Sequence, residues 1–324
     1  MKLLRISLVS LFLLFFSTLT VFSANITSHK GTVPNGYNFW LSTPDNTKDA
    51  KPVIIFLHGK SLCGSDLNQV KRYGTIEAVE KGRNLDAYVI APQNPGGAWK
   101  PEKVMNVLNW VRQNYKVDNN RIYVLGMSLG GHGTLDFTAA YPDQVAAAMA
   151  LCGGGIRGDV SPLNEVPLWI VHGTADNAVS IGSSDKLVES MKKAGTWKNR
   201  LHYDRVAGMN HSRPARFFYL PETYEWLMGH NLSEKGRTIH KTFAVTDNLL
   251  SNAYAGLNFS KGGYKASKSY ASNSKKSSKK ASSKSYKNKK SGKQYAKASA
   301  SKNSSVKRTS FNAKRKSHSA KKKK

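Results

Sequence analysis

The chain has 324 residues, of which 50 are Lys or Arg and 20 are Asp or Glu, so its formal net charge is +30. Two cysteines in a chain of this size exclude a disulfide scaffold, and a hydrophobic fraction of 40% is enough to build a core. The charge is uneven, because residues 261–324 hold 23 Lys or Arg and no acidic residue. Residues 1–260 are therefore only mildly basic, and the extreme charge belongs to the C-terminal segment.

Residues 1–24 have the pattern of a secretory signal peptide. Lys2 and Arg5 precede an apolar run over residues 6–22, and the small residues Ser23 and Ala24 follow it. This order predicts cleavage after Ser23 or Ala24 and a secreted or periplasmic protein. An uncleaved membrane anchor is the alternative, because the apolar run approaches the roughly 17 residues that can span a bilayer.

Residues 25–230 have the alternation of short apolar runs and amphipathic stretches that is typical of βαβ units. Several of the apolar runs are hydrophobic nearly throughout, which predicts strands covered by helices on both faces of a mostly parallel, doubly wound sheet. The predicted strands are 37–41, 53–57, 87–91, 121–125, 146–151, 168–171 and 201–206. The predicted helices are 101–115, 130–141, 184–194 and 222–228.

Two segments follow this predicted domain. Residues 231–260 contain Phe243, Leu249 and Leu250 and fit either a linker or a strand packed on the domain. Residues 261–324 consist almost entirely of Lys, Ser, Ala, Gly, Asn and Tyr. Such a segment cannot bury enough apolar surface to offset its chain entropy, so we expect a disordered, basic tail.

Residues 126–130 read Gly-Met-Ser-Leu-Gly and match the motif G-x-S-x-G. The motif follows a predicted strand and leads into a predicted helix, which is the context of a nucleophile elbow. Its glycines permit a strained turn that lifts the serine hydroxyl above the sheet, and the helix N-terminus favours negative charge there. The pattern predicts that Ser128 is a nucleophile. A purely structural Gly-rich turn is the alternative.

A serine nucleophile needs a base, and the base needs an acid that orients it. In this fold the chain order is serine, acid, histidine. Asp176 lies just after the predicted strand 168–171, and His211 follows the predicted strand 201–206. We therefore predict Asp176 as the acid and His211 as the base. Asp204 is the nearest rival acid, but it falls inside a predicted strand.

The oxyanion hole of this fold takes one backbone N–H from the residue after the nucleophile and another from a loop after an earlier strand. Leu129 is the first predicted donor, and Lys60 is the second, with Ser61 as the alternative. Trp99 follows a Gly-rich loop at a strand end and is a candidate wall of the substrate pocket, although a core position also fits.

The remaining histidines near strand ends, His58, His132 and His172, fit packing or turn positions better than catalytic ones. No His, Cys or Asp cluster has metal-ligand spacing, and no phosphate-binding glycine motif follows a strand. We therefore expect no metal and no cofactor. Cys63 and Cys152 fit either two free thiols or one disulfide, since export would permit a bridge.

These motifs resemble secreted α/β-hydrolases of the polyhydroxybutyrate-depolymerase-like and dienelactone-hydrolase-like esterases, a group often labelled predicted peptidases of the prolyl-oligopeptidase-like type. The resemblance covers residues 51–228 and is strongest in 120–131, 141–142, 151–155 and 171–176. It implies an α/β-hydrolase fold and the same triad of Ser128, Asp176 and His211. The short stretch between residues 151 and 168 leaves little room for a cap domain.

The loop that begins at His58 departs from the family pattern. It keeps the His-Gly pair and the later Gly64-x-Asp66, but Leu62 and Cys63 replace the usual Glu and Arg. Because this loop supplies a predicted oxyanion donor, the resemblance does not predict which substrate this chain prefers.

The sequence thus predicts a secreted carboxylesterase that acts on acyl esters, including acetyl or hydroxycinnamoyl groups linked to polysaccharide. The alternatives are a serine peptidase of the prolyl-oligopeptidase-like type and a polyanion-binding protein with an inert hydrolase domain. The tail is expected to bind anionic polysaccharide, lipopolysaccharide or a negatively charged membrane surface, and no specific nucleic acid. A solvated extension without a partner is its alternative.

Overall fold

The computed structural model describes residues 25–156 and 158–259, and within them one eight-stranded sheet carries helices on both faces. The strands are β1 Asn25–His29, β2 Phe39–Thr43, β3 Lys51–Leu57, β4 Tyr88–Pro92, β5 Val117–Met127, β6 Ala147–Leu151, β7 Leu168–Gly173 and β8 Leu201–Val206. The α-helices are α1 Thr75–Glu80, α2 Pro101–Asn114, α3 Leu129–Ala140, α4 Ile181–Ala194, α5 Pro221–Met228 and α6 Asp247–Ser251. Short 3₁₀ helices cover Lys60–Leu62, Leu67–Arg72, Ser161–Glu165 and Arg213–Tyr219.

The strand order is β1-β2-β4-β3-β5-β6-β7-β8. The six strands β3 to β8 are parallel, whereas β2 pairs antiparallel with β4 and β1 pairs antiparallel with β2. Because parallel strands end at the same edge of a sheet, the loops after β3, β5, β7 and β8 gather at one edge. Ligand sites of open α/β sheets lie at this carboxyl edge.

The core has two layers, one on each face of the sheet. Strand β3 shows the division, since Val53, Ile55 and Leu57 belong to one layer and Ile54 and Phe56 to the other, all with no exposed surface. Helices α2, α3 and α4 supply the first layer, and α1, α5 and α6 contribute to the second. This explains why the buried parts of the central strands are apolar at consecutive positions rather than at alternate ones.

All seven predicted strands and all four predicted helices are present, with ends shifted by a few residues. The sequence pattern did not predict β1, α1 or α6. Strand β1 reads Asn-Ile-Thr-Ser-His and is mostly exposed, so it has no apolar run, and it exists because it pairs along its length with β2. Helix α1 has only six residues, which is too short for a clear helical period.

Residues 231–259, which the sequence leaves open between a linker and a packed strand, pack against the domain as irregular chain that includes the short helix α6. The Leu232 amide donates to the Asn120 carbonyl, and the Ile239 amide donates to the Asn199 carbonyl. Leu250 of α6 is 1% exposed. The segment therefore packs on the core rather than forming a free connection.

The predictions of a signal peptide over residues 1–24 and of a basic tail over 261–324 lie outside the described residues. Within the described ranges, no helix combines the length and the apolar character that crossing a membrane requires.

Candidate active site

Ser128 occupies the turn between β5 and α3, with φ 57° and ψ −119°. This positive φ is rare for a residue with a side chain and marks a strained backbone. Its amide donates to the Leu151 carbonyl at 2.9 Å, and its carbonyl accepts from the His132 amide at 3.0 Å, which starts the helix. The turn is thus held by the neighbouring strand and by α3, as expected for an elbow that presents a serine side chain.

The two glycines of the motif are required by close backbone packing. A Cβ at Gly130 would lie 1.8 Å from the Leu57 carbonyl oxygen, and one at Gly126 would lie 2.4 Å from the Gly130 carbonyl oxygen. Both distances are far inside van der Waals contact with main-chain atoms that cannot rotate away. The first turn of α3 can therefore approach β3 only with glycine at these positions.

We expect Gly130→Ala to lower the free energy of unfolding by about 3 kcal/mol or more, because the helix must move away from β3 to admit the methyl group. Gly182→Ala is the matched control, since a Cβ there would meet only the Ser180 hydroxyl at 3.4 Å. Chemical denaturation of both variants measures the difference. Equal stability of Gly130→Ala and the control would contradict the close approach of α3 to β3.

The structure brings together the three residues predicted to form a triad. The Ser128 Oγ lies 2.9 Å from the His211 Nε2, and the His211 Nδ1 lies 2.7 Å from the Asp176 Oδ2. Asp176 follows the end of β7 and His211 follows the end of β8, and these neighbouring parallel strands bring their loops side by side. The Asp176 side chain has no exposed surface, whereas 26% of the His211 side chain is exposed.

Asp176 is set up to stay ionised. Burial opposes its charge, but hydrogen bonds from the Val179 amide, the His211 ring and the Ala178 amide outweigh this and lower its pKa below the usual value. Both amides contact the Oδ1 at 2.9 Å, which leaves the Oδ2 for His211. Asp204 lies elsewhere, where its Oδ2 accepts from the Trp169 ring N–H at 2.9 Å.

His172 is a further partner of the acid. It is completely buried, with its Nε2 3.2 Å from the Asp176 Oδ2 and its Nδ1 2.8 Å from the Ser184 hydroxyl. The His172 Nε2 also lies 3.0 Å from the Val179 carbonyl oxygen. This agrees with the interpretation of His172 as a packing and turn residue, and it adds a contact that the sequence did not reveal.

The two predicted oxyanion donors lie beside Ser128. A Cβ on Gly59 would be only 3.6 Å from the Ser128 Cβ, so the loop after β3 touches the elbow. Lys60 begins the 3₁₀ helix Lys60–Leu62 and Leu129 begins α3. The first amides of a helix have no intrahelical acceptor, so the oxyanion role of these two N–H groups stays a prediction that their position at the helix starts allows.

An open cleft of about 700 Å³ lies over the Ser128 side chain. It contains the predicted residues Ser128, Leu129, His211 and Lys60 together with side chains that carry no sequence motif. Its lining consists of Gly59, Lys60, Ser61, Arg72, Tyr73, Met127, Ser128, Leu129, His132, Ala178, Val179, His211, Ser212 and Ala215. The sequence analysis did not identify Tyr73 as a residue of the cleft. Its position in the region after β3 is the only signal, since no motif or spacing marks it.

Trp99 is placed in the core rather than on this cleft. It is 3% exposed, its ring N–H donates to the His58 carbonyl at 3.2 Å, and it packs edge to face on Tyr37 at 5.2 Å. A Cβ at Gly133 of α3 would lie 2.6 Å from the Trp99 ring, so the indole fills the space beside the helix. Trp99 lines a neighbouring cavity of about 410 Å³ that shares Leu129 and His132 with the cleft.

His58 and the cysteines have structural environments. The His58 Nε2 accepts from the Asn94 amide at 3.0 Å, and burial lowers the pKa of His58 to about 4, so the ring is neutral. Cys63 and Cys152 are free thiols rather than a disulfide. Cys152 is buried beside the elbow, where burial raises its thiol pKa to about 12. A thiol with this pKa stays protonated at neutral pH.

Residues 97–212 match the model of the dienelactone hydrolase family. This stretch is similar to the domain of that family. It contains Ser128, Asp176 and His211, whereas Lys60 lies before it. The resemblance inferred from the sequence is thereby confirmed.

Poly(3-hydroxyalkanoate) depolymerase C of Paucimonas lemoignei is 23% identical over 262 residues, which cover 66% of this chain and 63% of that protein. Acetylxylan esterase A of Aspergillus ficuum is 23% identical over 155 residues, 43% of this chain and 50% of that protein. The chain thus spans less than two thirds of the length of these curated relatives. A solved thermostable esterase is 23% identical with a TM-score of 0.51, and the match covers 64% of this chain and 63% of that one. The α/β-hydrolase fold predicted from the sequence is confirmed.

Proposed function

We propose that the chain is a secreted serine carboxylesterase with Ser128 as its nucleophile, His211 as its base and Asp176 as its acid. The observation that carries this proposal is the continuous hydrogen-bonded row from the Ser128 Oγ through His211 to the buried Asp176 at the floor of an open cleft. An imidazole between a hydroxyl and a carboxylate is the arrangement that activates serine.

In the proposed reaction, the Ser128 Oγ attacks the ester carbonyl carbon while the His211 Nε2 takes the hydroxyl proton. Asp176 holds the ring through its Nδ1 and stabilises the imidazolium that forms. The Leu129 and Lys60 N–H groups stabilise the negative oxygen of the tetrahedral intermediate. Collapse of this intermediate breaks the bond to the alcohol, which leaves with the proton from His211. Water then repeats the sequence on the acyl-enzyme, releases the acid and regenerates Ser128.

The size and openness of the cleft favour substrates larger than a simple acetate of a small alcohol. A volume of about 700 Å³ lies within the range of pockets that enclose most of a sugar-sized or aromatic ligand. Two of the similar proteins are named for polymeric substrates, an acetylxylan esterase and a poly(3-hydroxyalkanoate) depolymerase. Their names support a polymeric ester as the substrate class. We therefore propose acyl esters on a polymer, with acetyl or hydroxycinnamoyl groups on polysaccharide as the first candidates.

The test is turnover of aryl esters, acetylated xylan, feruloylated polysaccharide and peptidyl amides by the purified chain. We expect aryl esters and at least one polysaccharide ester to be cleaved and the amides to be resistant. Preferred cleavage of the amides would establish the peptidase alternative. A folded chain that cleaves none of these substrates would contradict the proposal.

We also propose that the tail over residues 261–324 tethers the enzyme to polyanions. It carries 23 positive charges and no acid, with Tyr264, Tyr270, Tyr286 and Tyr295 between them. Charge of one sign along a segment attracts polyanions without a shaped site. An exported chain would meet anionic polysaccharide, lipopolysaccharide or a negatively charged membrane surface rather than nucleic acid.

We expect a chain that ends at residue 260 to lose retention on heparin, lipopolysaccharide and anionic vesicles while it keeps full turnover of a small soluble ester. This end point keeps the packed segment 231–259, so the fold is unchanged. Retention of the full chain should fall steeply and log-linearly with salt, because binding releases counterions. Equal retention of both chains, or retention that ignores salt, would contradict the tether.

A further inference from the structure

The loop from Gly59 to Gly64, which contains the proposed oxyanion donor Lys60, is held by hydrogen bonds at both ends. At its far end, the Gln93 amide side chain donates to the Leu62 carbonyl at 2.9 Å and the Gly64 amide donates to the Asn94 carbonyl at 3.2 Å. At its near end, the Gly59 amide donates to the Tyr73 hydroxyl at 3.0 Å. The near end is the part that touches Ser128.

The Ser61 side chain of the same loop also interacts with the Tyr73 hydroxyl and by itself favours a lower pKa of Tyr73. The Tyr73 hydroxyl therefore interacts with the residue before Lys60, Gly59, and with the residue after it, Ser61. A Cβ at Gly59 would lie 2.8 Å from this hydroxyl and 3.3 Å from the Met127 carbonyl oxygen, so Gly59 is confined between Tyr73 and the elbow. Tyr73 thus holds the Gly59 backbone directly and interacts with the Ser61 side chain on the other side of Lys60.

Tyr73 itself is fixed independently of this loop. Its ring lies 6.4 Å edge to face from Phe56 of β3 and 6.5 Å, nearly parallel, from Phe218. The next residue, Gly74, has φ 107°, and a Cβ there would lie 2.1 Å from the Phe56 ring. The Gly74 amide donates to the Tyr219 hydroxyl at 3.1 Å.

These anchors link the two sides of the cleft. Phe218 and Tyr219 belong to the 3₁₀ helix Arg213–Tyr219, which begins two residues after His211. Tyr73 therefore rests on the segment that follows the proposed base and carries the loop with the proposed oxyanion donor. Burial raises the pKa of Tyr73, so its hydroxyl keeps its proton at neutral pH.

We propose that Tyr73 is a positioning residue that aligns the Lys60 N–H with the developing oxyanion. The Gly59 N–H is used by the tyrosine, which leaves the next amide in the chain for the substrate. The inference rests on the proposed function. Oxyanion donors act only when they lie about 2.7–3.1 Å from the oxygen in the tetrahedral state, so a small displacement of the loop reduces their effect.

The test is Tyr73→Phe, which keeps the ring and removes only the hydroxyl. We expect kcat for a soluble aryl ester to fall about 10- to 100-fold with KM changed less than about twofold, because the lost alignment matters in the transition state. The affinity for an aryl boronic acid, whose adduct with Ser128 is tetrahedral, should fall in parallel with kcat/KM. Ser61→Ala should cause a smaller loss of kcat, since the Gly59 bond remains.

Tyr203→Phe is the matched control. Tyr203 lies on β8, outside the cleft, and its hydroxyl donates to the Asp185 carboxylate of α4 at 2.9 Å. This variant should keep wild-type kcat and boronic acid affinity. A Tyr73→Phe enzyme with lower thermal stability but wild-type kcat and boronic acid affinity would reduce Tyr73 to packing and overturn the inference. A shifted alkaline limb of the pH–rate profile would make Tyr73 a proton donor and would overturn it as well.

Failure of the proposed function can be told apart from failure of this inference by testing the wild type first. A folded wild-type chain that neither turns over esters nor reacts with a fluorophosphonate would contradict the proposed function. If the wild type passes both checks, the outcome for Tyr73→Phe concerns this inference alone.

Discussion

Ser128→Ala is expected to abolish ester hydrolysis, with a loss of about 10⁶-fold in kcat, because the covalent step has no other nucleophile. The fold should be unchanged, since the hydroxyl projects into the cleft and contributes little to the core. Turnover of an aryl ester and a thermal unfolding curve on the same preparation measure the two effects. A fluorophosphonate should label the wild type at Ser128 and leave the variant unlabelled.

Ser233→Ala is the matched control for this change. Its hydroxyl contacts only its neighbour Asn231 among the described residues, at 2.7 Å and away from the cleft, so full activity and labelling should remain. Labelling of the wild type at another residue, or measurable turnover by Ser128→Ala near the wild-type rate, would remove Ser128 from the proposed role.

We expect His211→Ala to lose as much activity as Ser128→Ala, and Asp176→Asn to lose less, about 10⁴-fold. The histidine moves the proton in both half-reactions, whereas the acid orients the ring and stabilises its charge. The double variant Ser128→Ala, His211→Ala should be no worse than either single variant, because residues that act as one unit have non-additive effects. Steady-state kinetics with one aryl ester provide all of these comparisons.

Asp204→Asn is the control for the acid. Asp204 accepts from the Trp169 ring N–H at 2.9 Å and has its Oδ1 3.1 Å from the His202 Nε2, far from the contacts of Asp176. Its replacement should leave kcat near the wild-type value. Full activity in Asp176→Asn combined with a large loss in Asp204→Asn would transfer the role of the acid to Asp204.

Local pattern and chain order were enough to predict the central part of the molecule. Strands buried on both faces are apolar throughout, and each long helix has its own period, so β2 to β8 and the helices α2 to α5 could be identified from single segments. The meeting of Ser128, Asp176 and His211 was also predictable, because parallel strands end at one edge and each residue lies shortly after the end of a strand. Their catalytic roles stay predictions until the variants are measured.

The features that depend on distant partners were decided only by the tertiary structure. Strand β1 exists through its pairing with β2, and residues 231–259 are held by carbonyls of other segments, such as those of Asn120 and Asn199. Neither partner can be recognised within the segment itself.

The same reason applies to the cleft. Trp99 is in the core because Gly133 of α3 leaves space for its ring, and Tyr73 reaches the oxyanion loop because Phe56 and Phe218 hold it there. A sequence motif identifies catalytic residues because the reaction requires a particular residue type at a particular place in the chain. The side chains that shape and align a site are selected by contacts between distant parts of the chain, and those contacts follow from the three-dimensional packing alone.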